Sequence, residues 1–332
     1  METHNLNTEL VTRSRTILES SFDIEVNSIQ RRDISSLTPG TFFAQYQKPG
    51  IPVVITNLLQ ENDWNLDYLC ENLGNQDFLL RCYGQKRYKY DKRQWKNIGS
   101  GIETQKMPFT EYANLLRNHV AHEKDIYLAK CSLKNTAFYS RDSLKNIGEQ
   151  LGLKKPVGDL NLWIGPGGHV ESLHYDAVDG TLMQLHGAKK IVLFPPSQLY
   201  NLYPFPIFIH LRHGLKLRSS FSQVYPENPD FQSFPKLKKA LRHKYEVILN
   251  QGEVLFIPAG WWHEVTALGD EMVCSVNRFW GVYPTSRIVF SRIRWRIYIG
   301  YLLALPDVVL KLAIALFSRD NKQKLSKILQ ML

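Results

Sequence analysis

The chain has 332 residues, of which 44% are hydrophobic and 22% are charged, values close to those of ordinary globular proteins. This composition excludes a disordered, collagen-like or purely coiled-coil chain, and the length allows one large domain or two small ones. The 41 basic and 31 acidic residues give a formal net charge of +10, which favours an anionic partner: nucleic acid, an acidic membrane surface or an acidic substrate.

The amino-terminal part is predicted to consist of a polar segment followed by a mixed α/β region. Residues 1–35 are polar and are expected to form a short helix or a loose arm, and residues 36–124 form the α/β part. There the run GIPVVITNLL predicts a strand, and helical spacing covers Trp64 to Leu73 and Phe109 to Val120. The basic, alternating stretch from Arg81 to Lys96 predicts a strand pair or hairpin.

Residues 125–285 differ in character, because short β-rich runs recur there between glycine and proline turns. This pattern is typical of a sandwich or barrel. The Pro- and Lys-rich stretch from Tyr203 to Tyr245 predicts a long insertion between two strands, with one short helix.

Residues 286–332 are predicted to form apolar helices. The segment from Tyr298 to Phe317 is long enough to span a membrane, but Pro306, Asp307 and Lys311 oppose insertion, since each charge costs roughly 2.5–3.5 kcal/mol at the centre of a spanning helix. Packing on the body of the protein or on a second subunit, as a homodimer, is favoured over contact with a membrane surface. The last segment, Leu325 to Leu332, has the spacing of an amphipathic helix.

Cysteine usage and the amino terminus indicate a cytoplasmic protein. The four cysteines form no CxxC pair and are few for this length, which fits reduced thiols. The first residues, METHNLNTEL, contain no apolar segment, so a secretory signal is not expected.

The pattern HxD marks a candidate metal site. His174 and Asp176 follow a β-like run and, two residues apart, project to the same face of a strand. A third ligand is offered by His263 in GEVLFIPAGWWHEV, which antiparallel strands of a barrel could bring across. Two histidines and one carboxylate with open positions are the ligand set of non-haem Fe(II) oxygenases. Taken singly, His263 could instead be a core histidine and Asp176 a turn acceptor.

Four motifs in this order, WIGPGGHVESLHYD, QLHGAKKIVLFPPSQ, GEVLFIPAGWWHEV and SVNRFW, resemble those of the Jumonji-C or cupin-like oxygenases. Within that family they are similar to the asparaginyl hydroxylase of hypoxia-inducible factor and the tRNA wybutosine hydroxylase. The resemblance implies a mainly β fold, a double-stranded β-helix (jelly roll) with helical additions. It implies Fe(II)- and 2-oxoglutarate-dependent hydroxylation with O2.

The resemblance also assigns site residues. His174, Asp176 and His263 match the iron ligands, and Lys189 matches the lysine that pairs with the distal carboxylate of 2-oxoglutarate. Three further residues are expected near the co-substrate: Tyr127, which would donate a hydrogen bond to the same carboxylate, Asn277, near its metal-bound end, and Gln184, which faces the iron or the substrate.

Two positions depart from the family pattern. Glu171 stands where the asparaginyl hydroxylase has a threonine, so its carboxylate must point away, pair with a cation or contact the substrate. Gly180 stands where the family often has an asparagine, which removes a hydrogen bond to the metal-bound end of the co-substrate.

A peptide or protein side chain is the expected substrate. A tRNA base is the alternative, because basic residues alternate with aromatic ones between Lys86 and Lys96, a pattern suited to RNA, and a second basic stretch runs from Lys236 to Lys244. A solvated basic face is the simpler and favoured explanation of both stretches. A non-catalytic metal-binding cupin scaffold is a third possibility.

Overall fold

Two β-sheets face each other and form the body of the molecule. The computed structural model describes residues 27–61, 63–98 and 102–318. The described strands are, in chain order, β1 (Asn27–Ser28), β2 (Arg31–Asp33), β3 (Val53–Thr56), β4 (Asp77–Cys82), β5 (Thr104–Pro108), β6 (Ile126–Ser132), β7 (Pro156–Pro166), β8 (Val170–Tyr175), β9 (Asp179–His186), β10 (Lys189–Phe194), β11 (Tyr245–Leu249), β12 (Val254–Ile257), β13 (Trp262–Ala267) and β14 (Met272–Trp280).

The strands divide into a five-stranded sheet, in the order β1-β11-β10-β13-β8, and a nine-stranded sheet, in the order β2-β3-β12-β9-β14-β7-β6-β4-β5. Successive strands from β8 to β14 alternate between the sheets, apart from the consecutive pair β10 and β11. This is the double-stranded β-helix that the sequence predicted.

Helices surround the sheets. The described ones are α1 (Pro39–Phe42), which continues as a π-helical turn (Phe43–Gln47), α2 (Leu66–Leu73), α3 (Phe109–Arg117), α4 (Val120–Lys124), α5 (Asp142–Lys145), α6 (Ile147–Leu151), α7 (Ile209–His213), α8 (Leu237–Leu241), α9 (Ser286–Val289) and α10 (Arg292–Leu316). The largest buried cluster lies between the amino-terminal helices and the nine-stranded sheet. It includes Phe42, Trp64, Phe109 and Tyr112, all fully buried.

Several local predictions are confirmed and three are wrong. The strand in GIPVVITNLL is β3, and the two predicted helices are α2 and α3. The hairpin predicted between Arg81 and Lys96 is absent from the described part of that stretch, because β4 ends at Cys82 and 3-10 turns follow. Residues 27–33 are not a loose arm, since β1 and β2 each add to one of the sheets.

The insertion after β10 has two short helices, α7 and α8, where the sequence predicted one. Residues 1–26 and the amphipathic segment Leu325 to Leu332 lie outside the described residues.

Helix α10 has one side on the protein and the other side open. Ile293 and Ile297 are buried, and a Cβ atom placed on Gly300 would lie 2.6 Å from His210 Nε2 on α7. Asp307 and Lys311 neutralise each other in an ion pair of 2.5 Å along the helix. Helix α10 is long and apolar enough to cross a membrane. Length and composition are weak evidence for a span, because core helices of soluble proteins pass the same test. Dimerisation and membrane contact through this segment stay predictions.

The contact between α6 and β14 predicts a sharp steric effect. Gly148 lies against Trp280, and an added Cβ would meet the indole at 2.2 Å, whereas a Cβ on Gly40 in α1 would have its nearest neighbour at 3.8 Å. We expect Gly148→Ala to lower the free energy of unfolding by about 1–3 kcal/mol, because overpacking displaces the indole. Gly40→Ala, measured alongside by urea denaturation, should be neutral or slightly stabilising. Equal effects of the two substitutions would contradict this packing.

Candidate metal and co-substrate site

The pairing of β8 with β13 brings the three predicted metal ligands together. His174 on β8 lies directly opposite His263 on β13, and Asp176 follows immediately after β8. Their ligand atoms all lie within 4.8 Å of one another, and His263 Nε2 is 3.7 Å from Asp176 Oδ2. Residues far apart in sequence therefore form one cluster that could hold a metal ion.

Backbone carbonyls orient both imidazoles. His174 Nδ1 lies 2.8 Å from the carbonyl oxygen of Ser172, and His263 Nδ1 lies 3.1 Å from that of Trp261. Each Nδ1 therefore donates its proton to the backbone, which leaves the Nε2 lone pair for a metal. Burial, with repulsion from His174, lowers the pKa of His263 to about 4, so this ring is neutral at physiological pH, the form that binds metal. The donor set thus fits a divalent iron ion.

The ligands open into a cavity of about 460 Å³ between the two sheets. The five-stranded sheet supplies the ligands, and the nine-stranded sheet supplies the opposite wall, which includes Tyr127, Trp163 and Asn277. The charged side chains that line the cavity are Arg81, Lys130, Lys189, Arg218 and Arg294, with the acids Glu171 and Asp176.

Lys189 places a buried cation at the cavity wall. Its ammonium group donates a hydrogen bond to Ser275, and no carboxylate among the described residues forms an ion pair with it. Burial lowers the pKa of Lys189 to about 8. A desolvated cation without a carboxylate partner is costly, so this position suits an anionic ligand. The neighbouring Lys190 forms an ion pair with Glu227.

Tyr127 lines the same cavity and is held in place by stacking. Its ring lies 3.7 Å from that of His169, at an interplanar angle of 20°, and His169 Nδ1 bonds Asp125 at 2.6 Å. On the other side a Cβ on Gly165 would overlap the Tyr127 ring at 2.1 Å, so glycine is required there. His169 and Gly165 are therefore positioning residues for Tyr127.

Asn277 also lines the cavity, whereas Gln184 does not. The Asn277 Oδ1 accepts a hydrogen bond from Trp163 Nε1 at 2.7 Å, so its NH2 group is the donor left for a carboxylate. The Gln184 Nε2 instead donates to the carbonyl groups of His186 (2.7 Å) and Gly187 (3.2 Å). Gln184 lies on β9, but its side-chain amide bonds the turn between β9 and β10 and does not face the iron, the substrate or the co-substrate as the resemblance implied.

The two departures from the family pattern both face the cavity. Glu171 lines it, half-buried. Burial lowers the pKa of the Arg81 guanidinium, but its electrostatic interactions with Tyr83 and Glu171 raise that pKa by more. The pKa of Arg81 is therefore raised overall. Glu171 thus acts on Arg81 through space but forms no ion pair among the described residues, and its Oε2 is buried without a hydrogen-bond partner. At Gly180 an added Cβ would sit 3.7 Å from Phe279, an ordinary contact, so the wall has room for a side chain.

Sequence reasoning missed the residues that the insertion contributes. Phe221 stacks on His174, with ring centroids 4.8 Å apart and an interplanar angle of 11°, and the two residues form a β-bridge. No local motif marks Phe221, because its role depends on how a long connection folds back. The aromatic residues Tyr298 and Tyr301 of α10 also reach the cavity wall.

Asp179 is a second missed residue, and it fixes the turn before β13. It is fully buried, accepts a hydrogen bond from the Ala259 backbone at 2.8 Å and pairs with Arg287 through contacts of 2.9 and 3.0 Å. The adjacent Gly260 donates its N–H to the carbonyl of Asp176 at 2.9 Å. This network ties both metal-binding strands to α9.

A facial set of two histidines and one carboxylate in a double-stranded β-helix is the arrangement of the non-haem Fe(II) oxygenases. A family model described as "Cupin-like domain" matches residues 39–286, which is most of the chain. The chain belongs to this family, as its resemblance to the Jumonji-C and cupin-like oxygenases predicted.

Its curated relatives include proteins named as lysine-specific demethylases and as JmjC domain-containing proteins. The Arabidopsis thaliana protein named lysine-specific demethylase JMJ31 is 30% identical over 214 residues, 63% of this chain and 35% of the relative. The Dictyostelium discoideum JmjC domain-containing protein D is 33% identical over 250 residues, 68% of this chain and 51% of the relative. Lysine-specific demethylase 8 of Danio rerio is 39% identical over 121 residues, 36% of this chain and 27% of the relative. The chain thus spans between about a quarter and about half of the length of these relatives.

The open wall at Gly180 predicts a gain of co-substrate affinity. We expect Gly180→Asn to lower the KM for 2-oxoglutarate about 2- to 10-fold, because one added hydrogen bond contributes about 0.5–1.5 kcal/mol. Gly180→Ala adds only the Cβ atom and no amide group, so it should leave the KM for 2-oxoglutarate nearly unchanged. Steady-state assays of succinate formation measure both, and a higher KM for the asparagine variant would mean that the amide blocks the site.

The pKa of about 8 for Lys189 predicts how 2-oxoglutarate binding depends on pH. Below this pH the ammonium form attracts the carboxylate, and above it the neutral amine must first gain a proton. We expect affinity to fall by up to about tenfold for each pH unit above 8, until the pKa of the complex is reached. Calorimetric titrations between pH 7 and 9.5 measure this. Lys189→Arg stays charged and should remove the dependence; persistence in that variant would show that another group titrates.

Proposed function

We propose that this chain is an Fe(II)- and 2-oxoglutarate-dependent oxygenase that hydroxylates a carbon atom of a peptide or protein side chain. The observation that carries the proposal is the presence of the His174–Asp176–His263 cluster and the buried Lys189 ammonium in one cavity. A metal-binding scaffold does not need the buried Lys189 ammonium, whereas a dicarboxylate co-substrate needs a fixed cation.

The roles of the residues follow from their chemistry. When bound, Fe(II) with 2-oxoglutarate and O2 supplies the oxidising power, and 2-oxoglutarate leaves as succinate and CO2. His174, Asp176 and His263 would bind the iron and leave its remaining positions open. Lys189, supported by Ser275, would hold the distal carboxylate. Tyr127 and Asn277 would add hydrogen bonds to the co-substrate.

Lysine demethylation is the second candidate, because two of the relatives are named lysine-specific demethylases. It starts with the same oxidation, at an N-methyl carbon, but the substrate then carries a methylated ammonium group. The cavity wall holds five cationic side chains and two acidic ones, and a like charge there weakens binding. This excess of positive charge favours hydroxylation of a side chain that carries no positive charge over demethylation of a methylated lysine.

Substitution of the carboxylate ligand tests the proposal. We expect Asp176→Ala to abolish succinate formation from 2-oxoglutarate while the far-ultraviolet circular dichroism stays that of the parent protein. Asp67→Ala, which removes an exposed carboxylate on α2 paired with Arg117, should retain full activity.

Product analysis separates the alternatives. Mass spectrometry of a substrate peptide should show a gain of one oxygen atom, whereas demethylation would release formaldehyde and remove a methyl group. A wild-type protein that binds Fe(II) but forms no succinate with any substrate would support the scaffold instead.

A further inference from the structure

Lys130 occupies an unusual backbone position beside the cavity. The register between β6 and β7 shifts between Leu128 and Cys131, and within this bulge Lys130 has φ +52°. A left-handed conformation is uncommon for a residue with a side chain, and bulges re-aim side chains at functional sites. The strained position brings the Lys130 side chain to the cavity wall, where it remains exposed to solvent.

Two arginines from other elements line the cavity with Lys130. Arg81 comes from β4, and Arg218 comes from the insertion that also carries Phe221. The surrounding protein atoms lower the pKa of Lys130 by displacing water, and Arg218 and Arg81 are close enough to lower it further, while Asp176 acts in the opposite direction. Three cations thus gather near a metal ligand. We call Lys130, Arg218 and Arg81 the cation cluster.

Binding of the metal and the co-substrate does not neutralise the cavity. Five cationic and two acidic side chains leave a surplus of positive charge. Fe(II) and 2-oxoglutarate carry equal and opposite charges, so together they leave this surplus unchanged. Repulsion among cations held in one cavity disfavours the empty state, and an anion that enters relieves it.

We propose that the cation cluster is the recognition site for a carboxylate of an acidic peptide segment, which places the carbon to be oxidised beside the metal ligands. The inference rests on the proposed function, since it names the substrate class of the same cavity. The carboxylate belongs to the oxidised residue itself or to an adjacent aspartate or glutamate.

An acidic peptide is favoured over RNA because two cations of the aromatic basic stretch are engaged by the protein itself, whereas Lys86, Arg93 and Lys96 of that stretch are exposed. Lys92 is fully buried and donates to the carbonyl of Val224 at 2.9 Å. Arg87 stacks on Tyr83 and Trp95, at 4.6 and 4.3 Å from the ring centroids. Side chains engaged in this way do not track a phosphate backbone.

Binding without turnover tests the proposal directly. The full chain, loaded with Fe(II) and 2-oxoglutarate under anaerobic conditions, is titrated against fluorescent dodecapeptide pools rich in Asp and Glu or rich in Lys and Arg. A 12-nucleotide single-stranded RNA is the third probe. We expect the acidic pool to bind at least about tenfold more tightly than the basic pool at low salt, and more tightly than RNA.

Three variants locate the effect. Lys130→Glu should reverse the preference between the pools, and Lys130→Gly should abolish most of it. Glycine adopts the left-handed backbone freely, so Lys130→Gly should not lower the stability of the protein, and loss of selectivity cannot then be ascribed to misfolding. Lys239→Glu makes the same charge change on the exposed side of α8, outside the cavity, and should leave the preference intact.

Each other outcome overturns the proposal. Tighter binding of RNA would assign the cluster to phosphates, and tighter binding of the basic pool would favour a methyl-lysine substrate. If Lys130→Glu and Lys239→Glu lost selectivity equally, the net charge of the protein, and not the cation cluster, would explain the preference for acidic peptides. Failure of the proposed function is a separate result, because it shows as absent succinate formation whichever pool binds.

Discussion

The site depends on one cross-strand pairing, in which His174 and His263 lie opposite each other on β8 and β13. Side chains alternate between the two faces of a strand, so a slip of one residue would turn one histidine away from the cavity. The buried Asp179, joined to Arg287 and to the Ala259 backbone, anchors the turn that enters β13. A carbonyl two residues before each imidazole then fixes which ring nitrogen faces the metal. Register, turn and tautomer are thus set before any ion binds.

The second element of the site is the buried ammonium group of Lys189, which forms no ion pair with a carboxylate of the described residues. A buried ammonium would be more stable beside a carboxylate, and the nine-stranded sheet instead offers Lys189 a serine hydroxyl. The free protein therefore carries an electrostatic cost that a dicarboxylate relieves on binding. The cation cluster adds three more basic side chains to the lining of the same cavity. Lys189 and the cation cluster both favour the entry of anions into the cavity that His174, Asp176 and His263 also line.

The sequence predicted the elements whose signals are local. HxD spacing and a histidine after a Pro-Ala-Gly turn each mark a residue that its own strand orients, and β3, α2 and α3 follow from plain periodicity. The assignment of Lys189 depends instead on the resemblance to the Jumonji-C or cupin-like oxygenases. Phe221, Arg218 and Tyr298 could not be found in this way, because their places depend on long-range packing of an insertion and a terminal helix. Gln184 shows the converse. Its strand position is right for the cavity face, but two nearby carbonyl groups take up its amide.

Helix α10 takes part in two environments at once. Arg294, Ile297, Tyr298 and Tyr301 border the cavity, whereas Leu302, Leu305 and Val309 on the remaining surface are at least half exposed. One continuous helix therefore borders the cavity with one face and presents apolar side chains outward with the other, so a partner that covered the outer face would contact the same element that lines the site.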